Sequence, residues 1–169
     1  NKAQSKSVTT NTEVKSTDEF LITGNITGYP DSSTIDLLNA STGVSEASSK
    51  IIAGKFSLKG KIASPDFRVL SVNMQPPYLS IFLDNSNITI NSSKENFEKA
   101  QIKGSKSNDD FVAFDNIAKP YANLFNPGEP ADPALSKNAA FEFENYINTN
   151  PDSYITPLAI YRYYQVTNN

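Results

Sequence analysis

Three aspartates near the middle of the chain form its densest group of side chains that could do chemistry. Asp109, Asp110 and Asp115 lie close together, and neighbouring carboxylates can bind a metal ion or act as an acid and base pair. The same residues open a helical pattern, where carboxylates complement the positive end of the helix dipole. We therefore interpret Asp109 and Asp110 as helix-capping residues and Asp115 as a residue that faces solvent.

Two further motifs have chemical potential, and each has a simpler structural interpretation. Asp84-Asn85-Ser86-Asn87 is similar to a calcium-binding loop, but it lacks the glycine and the distal glutamate of that loop. We predict a hairpin turn there. Ser105-Lys106-Ser107 contains the residue types of serine–lysine catalysis, but nothing else in the sequence supports that chemistry and a capping loop explains these residues. A hydrolase built on two facing carboxylates remains a third hypothesis, weakened by the scarcity of inward-facing acids on the strands.

The absence of two residue types excludes several catalytic classes. The 169 residues contain no His and no Cys, so a zinc enzyme, a Ser-His-Asp hydrolase and thiol chemistry are excluded within this chain. The net charge of -3 gives no electrostatic footprint for nucleic acid. No apolar run approaches the roughly 18 residues that a membrane span needs. We predict no catalytic residue, no cofactor and no metal site.

The residues before Gly104 predict short strands. Apolar and polar residues alternate, and turn signals recur about every 8–12 residues, as in antiparallel sandwiches. The sequence therefore predicts an α+β fold, in which an antiparallel β-sandwich of seven or eight short strands precedes about three helices. The predicted strands are Phe20–Ile26, Thr34–Leu38, Ser48–Ala53, Phe56–Ile62, Phe67–Asn73, Tyr78–Leu83, Ile88–Ile90 and Ala100–Lys103.

The residues after Gly104 have helical spacing. Ser107 can cap the first helix, with Asp110 in the capping-box position, and Pro120 should interrupt this helix. Asn126-Pro127-Gly128-Glu129-Pro130 breaks the chain, and Asp132-Pro133 is a start signal for the second helix. Asn150-Pro151-Asp152-Ser153 is expected to start a third helix, whose stripe would contain Tyr154, Leu158, Tyr161 and either Tyr164 or Gln165.

These patterns divide the chain into three segments. Residues 1–18 form a polar tether, residues 19–104 the β-sandwich and residues 105–169 a helical connector. The tether is rich in Ser, Thr, Asn and Lys and begins without Met, which fits either a processed terminus or an ordinary frayed end. An aromatic helix so close to Asn169 favours a fragment of a longer protein over a helix that simply ends there.

Tyrosines supply the candidates for a partner surface. Tyrosine is favoured at interfaces, but these residues could equally form a core of large aromatic side chains. In Gln75-Pro76-Pro77-Tyr78, the prolines place Tyr78 at the rim of a binding surface or rigidify the connection into an edge strand. The candidate residues are Tyr78, Tyr154, Tyr161, Tyr163 and Tyr164.

An ordered set of short motifs resembles one bacterial family, the domain of unknown function that precedes the thioredoxin-like domain in Bacteroidetes thiol:disulfide interchange (TlpA/ResA-like) lipoproteins. The resemblance covers roughly residues 19 to 166. It rests on five segments, FLITGNI at residues 20–26, GKFSLKG at 54–60, PYLSIFLDN at 77–85, IKGSKSNDDF at 102–111 and NPDSY at 150–154.

The resemblance implies an exported protein of the periplasm or cell envelope, lipid-anchored upstream of this chain. It also implies a C-terminal thioredoxin-like domain, which would carry the redox site. This chain would then be a non-catalytic accessory module that binds, positions or dimerises, with a homodimer or a protein substrate as further partners. The alternative hypothesis is a stand-alone surface lipoprotein that binds a glycan or peptide, with Pro76-Pro77-Tyr78 at the rim of its site.

Overall fold

A computed structural model of the protein describes residues 18–126 and 132–168. The predicted tether, apart from its last residue, and most of the predicted break at residues 126–130 lie outside these ranges. None of the helices in the described ranges is long and apolar enough to cross a membrane. The elements are β1 (Phe20–Thr27), β2 (Thr34–Asn39), β3 (Ser45–Lys50), β4 (Lys55–Gly60), β5 (Asp66–Val72), β6 (Gln75–Leu83), β7 (Asn87–Ser93), β8 (Gln101–Lys103), α1 (Lys106–Ala118), α2 (Pro133–Thr149) and α3 (Thr156–Thr167), with 3-10 helices at Lys94–Lys99 and Lys119–Phe125.

The eight strands form two four-stranded sheets, so the predicted α+β sandwich with three helices is confirmed. The first sheet has the order β4-β1-β7-β8, and the second has the order β3-β2-β5-β6. Strands β1 and β7 are parallel, with Leu21 opposite Asn87, whereas the other pairs of described strands are antiparallel. The parallel pair closes the first sheet between strands about 65 residues apart, which local patterns do not predict.

The inner faces of the two sheets enclose the main hydrophobic core. Because side chains alternate along a strand, Phe20 and Ile22 of β1 are buried while Leu21 between them lies outside. The predicted third strand runs three residues earlier than expected, since Ile52 already pairs with Lys55 in a tight turn. The largest fully buried side chains of this core are Ile22, Ile26, Ile35, Leu37, Ile51, Leu58, Leu70, Ile81, Leu83 and Phe97.

A second core lies between the helices and the outer face of the second sheet. The sheet contributes Phe67 and Phe82, whose rings meet edge to face at 4.9 Å. Phe111 of α1 packs against Phe67 in the same geometry, also at 4.9 Å. Phe114 then continues the cluster to Phe143 of α2, with ring centroids 5.5 Å apart. Aromatic pairs of this kind add to the free energy of burial, so they stabilise the packing of α1 on the sheet and of α2 on α1.

The ends of the helices follow the sequence signals in part. As predicted, α1 ends before Pro120, and Asp132 caps α2 by accepting hydrogen bonds from the N–H groups of residues 134 and 135. Helix α3 starts later than predicted, at Thr156, because residues 150–155 form a turn after α2.

The predicted apolar stripe of α3 is largely wrong. Among the residues that the helix buries are Ala159 and Val166, whereas Tyr161 and Tyr164 of the predicted stripe are exposed. The small side chain of Ala159 allows close packing on α2, which turns the tyrosines outward.

The turn before α1 depends on a glycine. Gly104 has a φ of +94°, and a Cβ atom there would collide with the backbone oxygen of Asn87 in β7. Gly43 is a matched glycine, with a φ of +69° but no atom within 4 Å of the added Cβ. The two positions separate the cost of the backbone conformation from the cost of the collision.

We expect Gly104→Ala to lower the free energy of unfolding by more than about 3 kcal/mol, because conformational strain and backbone displacement add. Gly43→Ala should cost only about 1–2 kcal/mol. Urea unfolding followed by circular dichroism measures both. Equal losses in the two variants would show that the approach of Gly104 to Asn87 does not constrain the fold.

A second prediction concerns the ion pair between Asp66 and Arg68. The buried Arg68 guanidinium donates to Asp66 over 2.9 Å, and this hydrogen bond lowers the pKa of Asp66 from 3.8 against the opposing effect of partial desolvation. A lowered native pKa stabilises the fold above the unfolded-state pKa, and this stabilisation is lost as the pH falls below it.

Wild-type stability should therefore fall more steeply than that of Asp66→Asn as the pH decreases from about 5 to 2. Urea unfolding across this range gives the comparison. Asp115→Asn is the control, because Asp115 is exposed and forms no ion pair within the described ranges. If the free energy of unfolding had the same pH dependence in wild type and Asp66→Asn, the stabilising role of the Asp66–Arg68 ion pair would be contradicted.

Candidate functional site

The junction between β8 and α1 joins the sandwich to the helices. Its cap is Ser105, whose Oγ accepts the Asn108 N–H over 3.0 Å. The predicted cap, Ser107, is wrong: it already lies within the helix, and its N–H donates to Asp84 Oδ2 over 3.1 Å. Ser105 takes the cap position because its backbone is extended, with a φ of -112° and a ψ of 113°.

Asn108 binds the first turn of α1 to the second sheet. Its side chain is buried, and Oδ1 accepts the backbone N–H of Phe82 over 3.1 Å. Phe82 lies on β6, an edge strand of that sheet, so the amide side chain satisfies an edge N–H that would otherwise be buried without a partner. The sequence interpretation did not identify Asn108, since nothing in the local pattern distinguishes it from its polar neighbours.

Asp110 connects α1 to the other two helices and is not a capping-box residue. Its carboxylate accepts hydrogen bonds from Lys106 Nζ over 2.6 Å and from Ser153 Oγ over 2.8 Å. Its backbone oxygen accepts the hydroxyl of Tyr146 on α2 over 3.2 Å. Ser153 in turn accepts the N–H of Ile155 at the start of α3. One acidic residue therefore orients all three helices.

A cleft of about 320 Å³ lies above this junction. Asp84, Asp110 and Asp152 line it, so the fold brings together acids that are distant in sequence. Two of them are already hydrogen-bonded: Asp84 accepts from Ser86 and from the backbone of α1, and Asp110 accepts from α1 and from the turn before α3. Within residues 18–126 and 132–168, no group of three or more His, Cys, Asp or Glu side chains could hold a metal ion. These hydrogen bonds give Asp84 and Asp110 a structural role.

The predicted hairpin at residues 84–87 is wrong, because these residues do not join two paired strands. Strand β6 belongs to the second sheet and β7 to the first, so the turn between them crosses from one sheet to the other. Asn85 fixes the crossing, because its side chain accepts the Ile62 N–H over 3.0 Å and donates to the Ile62 oxygen over 2.8 Å. The polar residues of this loop therefore hold the two sheets together at one end.

Partial burial and, to a smaller extent, crowding of carboxylates determine the electrostatics of the junction. Partial desolvation raises the pKa of Asp109, and the nearby charges of Asp110 and Asp84 raise it further, while Lys106 opposes them. Desolvation also raises the pKa of Tyr146. Burial is the first cause of both shifts, and the nearby negative charge of Asp110 adds to each.

The five candidate tyrosines do not form one surface. Tyr154 lines the junction cleft, and Tyr78 lines a separate small pocket on the second sheet. Tyr163 is half-buried in the helical core. Of the five, only Tyr161 and Tyr164 share an exposed face of one helix.

That exposed face of α3 is the clearest unpartnered apolar surface among the described helices. Ile160, Tyr161 and Tyr164 are 50%, 58% and 63% exposed, and their spacing places them on one side of the helix. We call these three residues the α3 outer face. Ile160 was missed in the sequence, although its i,i+4 relation to Tyr164 is a usable signal.

Comparison with known proteins identifies one family. Residues 20–111 match the model of a domain of unknown function, DUF4369. The matched range contains the sandwich and ends in the first half of α1, so it includes the whole junction. No curated protein and no solved structure matches the chain.

The capping assignment at α1 can be tested with two neighbouring serines. Ser105→Ala should lower the free energy of unfolding by about 1 kcal/mol, because it removes the N-cap of α1. Ser107→Ala should cost less, since alanine favours helix interiors and the backbone N–H that binds Asp84 remains. Chemical unfolding of both variants gives the test. A larger loss of unfolding free energy for Ser107→Ala than for Ser105→Ala would support Ser107 as the cap, as the sequence pattern predicted.

Proposed function

The chain belongs to the DUF4369 family of domains of unknown function, and we propose that it is a non-catalytic accessory module that positions a partner domain. The α3 outer face carries this proposal. Three large apolar side chains stand in solvent on one helix, while the opposite side of that helix is packed on α2. Tyrosine and isoleucine on such a surface gain free energy when a partner removes them from water.

The junction supports a positioning role. The buried Asn108 contact and the hydrogen bonds of Asp110 link α1, the turn before α3 and the second sheet. A domain docked on the α3 outer face would therefore keep a defined orientation relative to the sandwich. Such an arrangement suits a module that presents another domain at a fixed place.

We propose a thioredoxin-like domain of the same polypeptide as the partner. The ordered motifs in the sequence support this assignment, because they resemble the domain that precedes such a partner in bacterial thiol:disulfide interchange proteins. The chain contains no Cys, so a Cys-x-x-Cys site would belong to the partner domain and not to this module. The same resemblance supports a location in the periplasm or cell envelope, with a lipid anchor upstream.

The gene that encodes this chain gives the first test. We expect its reading frame to continue into a domain with a Cys-x-x-Cys motif and to begin with an export signal and a lipid-attachment cysteine. A reading frame that encodes no cysteine beyond this chain would contradict the thioredoxin-like partner.

The second test concerns the α3 outer face in the full-length protein. Tyr161→Ser with Tyr164→Ser should increase amide hydrogen exchange in the partner-domain segments that contact α3 by about tenfold or more, because each buried tyrosine at an interface contributes about 1–2 kcal/mol. Tyr78→Ser is the control, since it removes an exposed tyrosine from the sandwich.

Two results would contradict this role of α3. The first is unchanged exchange in the double variant. The second is a wild-type protein that self-associates, with a double variant that is monomeric and has normal exchange. That second result would assign the face to a homodimer.

A further inference from the structure

A small pocket lies on the outer face of the second sheet, and no helical residue lines it. It has a volume of about 180 Å³ and lies between β2, β5 and the turn into β6. Its apolar lining comes from Leu38, Val69, Met74 and Tyr78. The pocket is separate from the junction and from the α3 outer face, so a ligand bound in it would be independent of the proposed function.

The strand register explains why these side chains meet. Leu38 on β2 is opposite Val69 on β5, and both alternate with Leu37 and Leu70, which point into the sandwich core. Ser71 lies two residues after Val69 and therefore projects from the same outer face. It also lines the pocket.

The hydroxyl of Ser71 is the one buried side-chain polar atom without a hydrogen-bond partner within the described ranges. The residue is 0% exposed. Asp36 is opposite Ser71 in the register, and its carboxylate accepts the hydroxyl of Ser45 over 3.2 Å but forms no hydrogen bond with Ser71. A buried hydroxyl without a partner destabilises the fold, so its presence in a pocket indicates a ligand that supplies the missing hydrogen bond.

The turn at the rim of this pocket is also unfavourable, because of its backbone conformation. Asn73 and Met74 connect β5 to β6 and have φ values of +53° and +55°. Two-residue hairpins of this kind favour Asn followed by Gly. Any residue with a Cβ atom disfavours a positive φ, and Asn tolerates it better than most. Met74 stands where glycine would be more stable, and its side chain lines the pocket. A thioether at this position is flexible and makes favourable contacts with aromatic rings.

We propose that this pocket binds a phenol-type group, a single aromatic ring with one hydroxyl. The volume fits one ring, since a cavity of about 150 Å³ in another protein holds benzene. Met74 and Tyr78 provide contacts suited to an aromatic ring. Because Ser71 is fully covered, side chains that line the pocket must shift before its hydroxyl can hydrogen-bond that of the ring. The group belongs either to a free phenolic compound or to a tyrosine side chain of another protein.

Two matched probes test the hydrogen bond. In nuclear magnetic resonance titrations of the full chain, p-cresol should bind wild type about fivefold to tenfold more tightly than toluene, which has the same ring and methyl group but no hydroxyl. Ser71→Ala should remove this preference and leave toluene affinity unchanged. The same variant should raise the midpoint of thermal unfolding, because it removes a buried polar group without a partner.

Met74→Gly tests the rim independently. It should raise the thermal midpoint, because glycine suits the left-handed turn, and it should weaken both probes severalfold by removing a wall of the pocket. N-acetyltyrosinamide separates the two sources of the phenol. Affinity comparable to that of p-cresol supports a tyrosine from a protein, and binding of p-cresol alone supports a free compound.

Three outcomes would overturn the proposal. The first is the absence of chemical-shift changes around Leu38 and Val69 with either aromatic probe. The second is an unchanged p-cresol preference in Ser71→Ala. The third is a lower thermal midpoint for Ser71→Ala, which would show that the hydroxyl forms a stabilising contact inside the folded protein.

Discussion

The hydrogen bond from the backbone of Phe82 to the buried side chain of Asn108 is the constraint on which the rest of the structure depends. It satisfies an N–H on the edge of the second sheet and fixes the first turn of α1 against that edge. Phe111 consequently meets Phe67 and Phe82. This contact holds the direction in which α1 leaves the sandwich, and the second core forms along that direction.

The two cores explain why the acids at the junction have structural roles. The sandwich is complete in its own hydrophobic core, whereas the helices bury their aromatic residues partly against the outer face of a sheet. Such an attachment needs polar contacts that fix its orientation, and Asp84 and Asp110 supply them through hydrogen bonds to α1 and to the turn before α3. Their carboxylates are therefore acceptors in a structural network, consistent with an architectural role for the junction.

The pocket on the second sheet differs from the junction, because its polar group and its turn residue destabilise the fold. At the junction, the side chains of Asp84, Asn108 and Asp110 all have hydrogen-bond partners. In the pocket, Ser71 is buried without one and Met74 occupies a turn position that favours glycine. Sequences usually satisfy local rules throughout a fold and depart from them at functional sites. Two departures that converge on one pocket distinguish it from the cleft at the junction, where local rules are met.

The sequence by itself determined the features that depend on neighbouring residues. Alternating side chains located the strands, Pro120 ended α1, and Asp132 before Pro133 started α2, because backbone geometry and capping are local effects. Only the tertiary structure decided the cap of α1, the exposed side of α3, the parallel pairing of β1 with β7 and the pocket at Ser71. Each of these depends on contacts between residues far apart in the chain, such as Asp84 with Ser107. A local pattern contains no information on which distant surface will cover it, and this is why the tyrosines of α3 were placed in a stripe that the fold turns toward solvent.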